Sequence, residues 1–156
     1  MIALGIDPGL SGGLAIVWGD YHPILLCAIS IPTTGEKAKR RVDVGAVLAF
    51  LSGHYRPTHA FIERAQAMPD QGASSGFIYG RAVGALEACV ESLRIPLTVI
   101  ESTAWKKAHG LIKRGKEDSR QRAIRLFPGA PGFERKLDHN RAEAALIAWF
   151  GLMTLR

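Results

Sequence analysis

Two short apolar runs, each closed by a carboxylate, constrain this chain more than anything else in it: Ile2-Ala3-Leu4-Gly5-Ile6-Asp7 and Thr58-His59-Ala60-Phe61-Ile62-Glu63. Runs of this length read as buried strands. The first leads into Pro8-Gly9-Leu10-Ser11-Gly12-Gly13, a turn rich in residues that tolerate unusual dihedrals, and the second into a loop from Ala65 to Ser75 that contains Pro69 and Gly72. A strand that delivers its last side chain into such a loop places it at the carboxyl edge of an open α/β sheet, where these folds keep their ligands. An acid there suits a divalent cation that shares its coordination shell with a phosphate. Each acid also has an ordinary use: Asp7 bonded to its own Pro-Gly turn, Glu63 paired with Arg64 or a remote cation.

The remaining elements can be placed around these two strands. Leu14 to Trp18 resumes as a strand, Gly19-Asp20 turns, and Ile24 to Ile31 forms a third strand stopped by Pro32, so three antiparallel strands open the fold. Thr33 to Arg41 is polar and basic and reads as an exposed loop. Asp43 is placed to cap a helix with Val44, Val47, Leu48 and Leu51 on one face, running to about Tyr55. Ser75 to Leu93 reads as a long helix carrying Gly76, Gly80, Gly84 and Ala88 at four-residue spacing, a stripe of small residues that lets another backbone approach. Ile95 to Ile100 is a fifth strand. Helices follow at Ser102 to His109, capped by Ser102 or Thr103, and at Ser119 to Phe127. After the break Pro128-Gly129-Ala130-Pro131-Gly132, an alanine-rich helix spans Asn140 to Leu155. The order is β-β-β-α-β-α-β-α-α-α: an α/β fold on a central five-stranded mixed sheet, three strands antiparallel and then parallel ones, flanked by helices.

A third acid, Glu143, sits near the start of the last helix among alanines, where a carboxylate has little packing use; its ordinary role is to favour the helix N-terminus by about 0.3–1 kcal/mol. Asp138 precedes it by five residues, a rotation of roughly 140° on an ideal helix, so Asp138 shares its face only by lying before the helix begins. His139 and Asn140 do share the face of Glu143, and either is placed to be a neighbouring ligand.

The 156-residue length fits one domain spanning 1–156. No apolar run approaches the roughly 18 residues of a membrane span, and no basic segment precedes an apolar one at the N-terminus, so the expected location is the cytoplasm, without membrane partners. Cys27 and Cys89 lack any ligand spacing and read as buried structural thiols. The net charge of +6 points to a polyanionic partner. Most of the excess falls between Glu101 and Arg125, where Lys106, Lys107, Lys113, Arg114, Lys116, Arg120, Arg122 and Arg125 face only Glu101, Glu117 and Asp118. Its alternative is a solvated helix face.

Gly5-Ile6-Asp7-Pro8-Gly9, then Ile62-Glu63, then Asp138-His139-Asn140-Arg141-Ala142-Glu143-Ala144-Ala145 resemble, in order and spacing across almost the whole chain, the acid-bearing motifs of the RuvC resolvase family. The resemblance implies a ribonuclease-H-like fold, a homodimer, and Mg2+-dependent or Mn2+-dependent nicking of two strands of a four-way Holliday junction. Asp7, Glu63 and Glu143 take the family's first, second and last acidic positions. The remaining family position, three residues before the last acid, holds Asn140 here, a departure: either Asp138, with His139 close behind, supplies the fourth catalytic or metal-binding group through a shifted helix start, or the site runs on three strong ligands. The helix from Gly76 to Ala88 resembles the family's dimerisation element. Lys106 and Lys116 lie roughly where members place lysines near the scissile phosphate, and Lys107, Lys113, Arg114 and Arg120 join them as DNA-binding candidates. Met68 or Phe77 is placed to wedge between base steps, with core packing as its ordinary use. Glu63-Arg64-Ala65-Gln66-Ala67-Met68-Pro69 and the lack of a long tail look more like phage or prophage members.

Three rival readings follow from the same residues. One is a related nuclease on the same fold acting on RNA–DNA hybrids or forks. Another is a junction-binding protein without catalysis, if Asn140 has disabled the site. The third is an actin-like ATP-binding fold, because Asp7-Pro8-Gly9 followed by Gly12-Gly13 resembles that superfamily's phosphate loop; the chain is too short for its second domain.

Overall fold

The computed structural model describes residues 1–66 and 72–155. Strands β1 (Ile2–Asp7), β2 (Gly13–Gly19) and β3 (Pro23–Ser30) open the chain, followed by a small ladder of β4 (Thr33–Thr34) and β5 (Arg41–Val42). Then come α1 (Val44–Leu51), β6 (His59–Glu63), α2 (Ala73–Ser92), β7 (Leu97–Ile100), α3 (Ser102–Ala108), α4 (Lys116–Leu126) and α5 (His139–Thr154). The main sheet has the order β3-β2-β1-β6-β7. β1 is antiparallel to β2 and β2 to β3, whereas β1 with β6 and β6 with β7 are parallel. This is the expected five-stranded mixed sheet.

Several boundaries differ from the sequence reading for local reasons. Thr33 to Arg41 forms a two-stranded ladder around a single 3-10 turn instead of a plain loop, with Arg40 tied to the Thr33 hydroxyl at 3.0 Å. Asp43 caps α1 as expected, its carboxylate accepting from the Ala46 amide at 3.0 Å, but the helix stops at Leu51 because Ser52-Gly53 cannot extend it cheaply. α3 is capped by neither Ser102 nor Thr103; Glu101 holds the N-cap position. α4 begins three residues early, at Lys116, because the Asp118 carboxylate reaches back to the Gly115 amide at 2.9 Å. Cys89 is buried but Cys27 only half so, and both thiols are free; burial raises the pKa of each.

Alternation along the strands sorts the core into two layers. Leu4, Ile6, Leu14, Ile16 and Ile62 face Val47 and Leu51 of α1 and Ala82, Leu86 and Val90 of α2. Ala3, Ala15, Val17 and Phe61 face Ala144, Ala145 and Ala148 of α5. On the α2 layer the small-residue stripe takes no part: a Cβ added at Gly76, Gly80 or Gly84 would meet nothing within 4 Å.

The α5 layer is far tighter. A Cβ on Gly5 would stand 2.6 Å from the Ala148 nitrogen and nearer still to the Ala144 carbonyl oxygen, and one on Gly13 would strike the Asn140 carbonyl and the Arg141 Cα. At the other end, Gly151 of α5 is pressed onto the Phe61 ring. Helix and sheet therefore meet backbone to backbone, with alanines on the helix and glycines on β1 and β2. Gly5→Ala should destabilise the fold by about 1–3 kcal/mol, as overpacked cores do, because backbone has to yield. Urea unfolding measures it, and wild-type stability would mean that α5 has slack to rise off the sheet.

Candidate active site

The same contact sets the site. Ile6 and Ile62 are register partners in the parallel pair β1–β6, so Asp7 and Glu63 follow them in step at adjacent strand ends. Gly5 and Phe61 lie beneath α5, and alternation puts Asp7 and Glu63 on that same face. Ala144 sits over Gly5, which brings its neighbour Glu143 to the sheet edge. An open cleft of about 500 Å³ results, with Asp7, Gly9, Tyr79, Lys116, Asn140 and Glu143 in its wall.

Three acids brought together in this way repel. Burial, then the charges of Glu143 and Glu63, push the Asp7 carboxyl well above its ordinary range, against the pull of Lys116 and Lys106. Burial likewise raises Glu143, with the Ser119 hydrogen bond and Lys106 opposing. Burial, Asp7 and Glu63 raise the Tyr79 hydroxyl. Two acids are held from behind: the buried Trp105 indole donates to Glu63 Oε2 at 2.7 Å, and the Ser119 hydroxyl donates to Glu143 Oε1 at 2.9 Å. The ordinary uses of the acids are met elsewhere. Arg64 pairs with Glu101, and the turn after Asp7 is closed by the Gly12 amide on the Gly9 carbonyl at 3.1 Å.

A divalent cation fits this donor set. All three acids offer hard oxygens, and a positive charge beside Asp7 would relieve the repulsion that raises it. Among the described residues no group of three or more His, Cys, Asp or Glu side chains is placed so that it could hold a metal ion by itself. The set would therefore rely on water and phosphate oxygens, as Mg2+ sites do.

The three adjacent residues before Glu143 take separate roles. Asp138, proposed from sequence as the fourth ligand, does not join the cluster. It is buried, accepts from the Arg135 amide at 2.8 Å, and meets Arg135 Nη2 at 2.9 Å and Arg141 Nη1 at 3.5 Å. Burial works to raise its pKa, but the Arg135 hydrogen bonds and the charges of Arg141 and Arg135 outweigh it and hold the carboxyl below its ordinary range. His139 donates from Nδ1 to the Lys136 carbonyl at 3.0 Å and adds a cationic influence on Glu143. Asn140 is the residue in the cleft wall, its Nδ2 bonded to the Ser11 carbonyl of the Asp7 turn.

Among the basic candidates, Lys106 and Lys116 are brought within electrostatic reach of Asp7. Lys107, Lys113 and Arg114 are exposed on α3 and the segment after it. Arg120 is committed elsewhere: it bonds Glu117 at 2.7 Å and the Phe133 carbonyl at 2.5 Å, which leaves its side chain 12% exposed. Phe77 is 69% exposed, so its core alternative does not hold, and Met68 lies outside the described residues. Sequence reasoning missed Tyr79, Trp105, Ser119 and the lining role of Asn140. Only Asn140 had a linear signal, its place one turn before Glu143.

A mixed sheet of this order, with one helix lying directly on it and carboxylates at its edge, belongs to the ribonuclease-H-like class. Solved structures share this fold, the following three among them. Thermus thermophilus RuvC in complex with Holliday junction substrate superposes with a TM-score of 0.74 at 22% identity, covering 99% of this chain and 95% of that one. A second Thermus thermophilus RuvC structure gives 0.70 at 23% identity, covering 99% and 96%. The yeast mitochondrial Holliday junction resolvase Ydc2 gives 0.62 at 16% identity, covering 98% and 80%. No family model and no curated protein matches the chain. Among the described residues no helix is long and apolar enough to cross a membrane.

If Asp138 serves the fold, Asp138→Ala should cost about 1–3 kcal/mol at neutral pH through its stranded partners. Because the folded-state pKa is depressed, the charge-linked stability is present above about pH 4 and is lost as pH falls through the folded value. Chemical denaturation at pH 7 and pH 2.5 should show the deficit shrinking; an unchanged deficit would refute the ion-pair account.

Proposed function

We propose that this chain is a divalent-metal-dependent endonuclease that nicks branched DNA, four-way junctions first. One observation carries the reading: Asp7, Glu143 and Lys116 line one open cleft, with Glu63 and Lys106 within electrostatic reach of Asp7, on a fold shared with a RuvC bound to a Holliday junction. The rival reading as a non-catalytic binder is disfavoured by the same feature. Clustered acids beside a basic surface weaken DNA binding unless a cation joins them, so a binding protein gains nothing by keeping them.

Asp7, Glu63 and Glu143 would hold the divalent metal, with Asp7 as the acid that both others influence. Asn140, a neutral oxygen donor in the wall, takes the place first given to Asp138, with His139 on the same helical face. Mg2+, with Mn2+ as a substitute, would supply charge neutralisation, a nucleophile at neutral pH and stabilisation of the leaving 3′ oxygen, giving 5′-phosphate and 3′-hydroxyl ends. Trp105 and Ser119 hold two carboxylates in place, and losing such a partner costs about 10–100-fold. Lys106 and Lys116 oppose the acids' repulsion of the incoming phosphate, and Lys107, Lys113 and Arg114 extend the salt-sensitive contact with the backbone.

Asp7→Asn should abolish Mg2+-dependent nicking of a four-way junction while the folded His139→Ala and Asp138→Asn variants retain it in part. Because the raised Asp7 pKa means that its charge destabilises the fold above the ordinary carboxylate range, Asp7→Asn should also raise the Tm without metal and abolish the Tm gain on adding Mg2+. Retained nicking by Asp7→Asn would refute the metal reading. Comparison with forked, linear and RNA–DNA hybrid substrates assigns the target.

Symmetric nicking needs two sites, and the unpartnered stripe of Gly76, Gly80 and Gly84 beside exposed Phe77 supports a homodimer through α2. Gly80→Leu should favour the isolated helix yet yield a monomer in sedimentation that binds junctions no better than duplex. A dimer that persists would move the interface elsewhere.

A further inference from the structure

Beyond the cleft, a second cavity of about 240 Å³ opens where the end of α3 meets one face of α4. Its wall is mostly polar: His109, Arg114, Asp118, Arg122 and Arg125, together with Gly110 and Leu111. Asp118, the one acid, is already engaged with the Gly115 amide at 2.9 Å. Among the described residues no carboxylate lies within ion-pair distance of Arg114, Arg122 or Arg125. Arg122 is the telling member. Its Nε is buried and has no hydrogen-bond partner among the described residues, although guanidinium donors taken out of water are normally paired. Its stem is thus fixed in the wall instead of waving in solvent, and its neighbours are two more unpaired guanidiniums. Three such groups at one concavity repel each other unless an anion joins them.

The cavity is also coupled to the acids. Ser119, which bonds Glu143, lies one turn before Arg122 on α4. His109 is buried and donates from Nε2 to the carbonyl of Leu146 at 3.0 Å, one turn beyond Glu143 on α5. Along α4 and along α5, the residue that reaches the cavity and the one at the acids stand about one helical turn apart, a rise of roughly 5 Å. Successive phosphates of one strand advance about 3.4 Å along a duplex axis.

We infer that the cavity formed by Arg114, Arg122, Arg125 and His109 seats a single backbone phosphate of the DNA strand being cut, one or two nucleotides from the scissile one. The inference rests on the reading of the chain as a nuclease and assigns it a positioning site apart from the metal-binding acids. A seated phosphate fixes the strand's register across the cleft, whereas diffuse surface charge only attracts it. Arginine suits this task because its planar fork of donors matches a phosphate's oxygens.

The test compares wild type, Arg122→Gln and the exposed Arg125→Gln with Arg56→Gln, which removes the same charge at an exposed arginine that lines neither cavity. Binding to a four-way junction and to linear duplex is measured without divalent metal over a range of salt, and then with single methylphosphonates placed along the cut strand. Arg122→Gln and Arg125→Gln should each weaken binding about 10-fold and lower the salt slope by about one, while Arg56→Gln does neither. One methylphosphonate position should weaken wild type and leave Arg122→Gln unaffected. Equal losses in all three variants, or methylphosphonate effects identical in wild type and Arg122→Gln at every position, would overturn the proposal. Wild type that binds junction and duplex alike defeats the junction reading, and the site is then judged on duplex. Inorganic phosphate should raise the Tm of wild type and not of Arg122→Gln; phosphate protection without any DNA effect overturns the assignment to a DNA strand.

Discussion

The structure depends on one contact, the backbone-to-backbone seating of α5 on β1 and β2. Gly5 and Gly13 remove every side chain from the sheet at the point of contact, and Ala144 and Ala148 remove bulk from the helix. The gain is not burial of large groups, since alanine buries little area, but dispersion contacts among many atoms at short range. The functional consequence is geometric. A helix resting on leucines would stand higher above the sheet and carry Glu143 away from Asp7 and Glu63. The glycines are therefore as much part of the site as the acids, although they perform no chemistry.

Convergence of like charges is the cost of this arrangement. Burial and two neighbouring carboxylates raise Asp7, and Lys116 and Lys106 offset them in part. The supporting bonds from Trp105 and Ser119 do not neutralise anything; they fix where the negative charge sits. On the proposed reading, a cation held by these acids would offset their repulsion and bring an affinity for phosphate that the acids alone oppose. The basic surface along α3 and α4 fits the same reading, because Lys106 and Lys116, which lower Asp7, belong to those helices.

How much of this was legible in sequence follows the range of the interactions. Asp7 and Glu63 could be read because strand ends before glycine-rich loops are local patterns, and parallel register then makes them neighbours. The five-stranded sheet followed from runs and turns of the same local kind. Asp138 misled because spacing from Glu143 says nothing about Arg135 and Arg141, which capture its carboxylate. Asn140 seemed a defect for the converse reason: its bond to Ser11, 129 positions away, joins helix to turn and has no linear signature. Trp105 and Tyr79 looked like ordinary core and helix residues, since nothing near them in sequence hints at Glu63 or Gly9. Arg120 counted as one more surface cation until the Phe133 carbonyl claimed it.

The two uses of arginine on α4 show why charge counts alone read such a surface poorly. Arg120 and Arg122 are two residues apart, so the helix points them to different sides. Arg120 meets a carboxylate and a carbonyl and is structurally satisfied. Arg122 meets neither, and its Nε is buried all the same. A solvated arginine has no need of burial, and a structural one has no reason to stay unpaired. A guanidinium that is held in place and left without a partner is best explained by an anion that arrives from outside. If the cleft takes a phosphate, as the nuclease reading proposes, the economical source of that anion is the same strand.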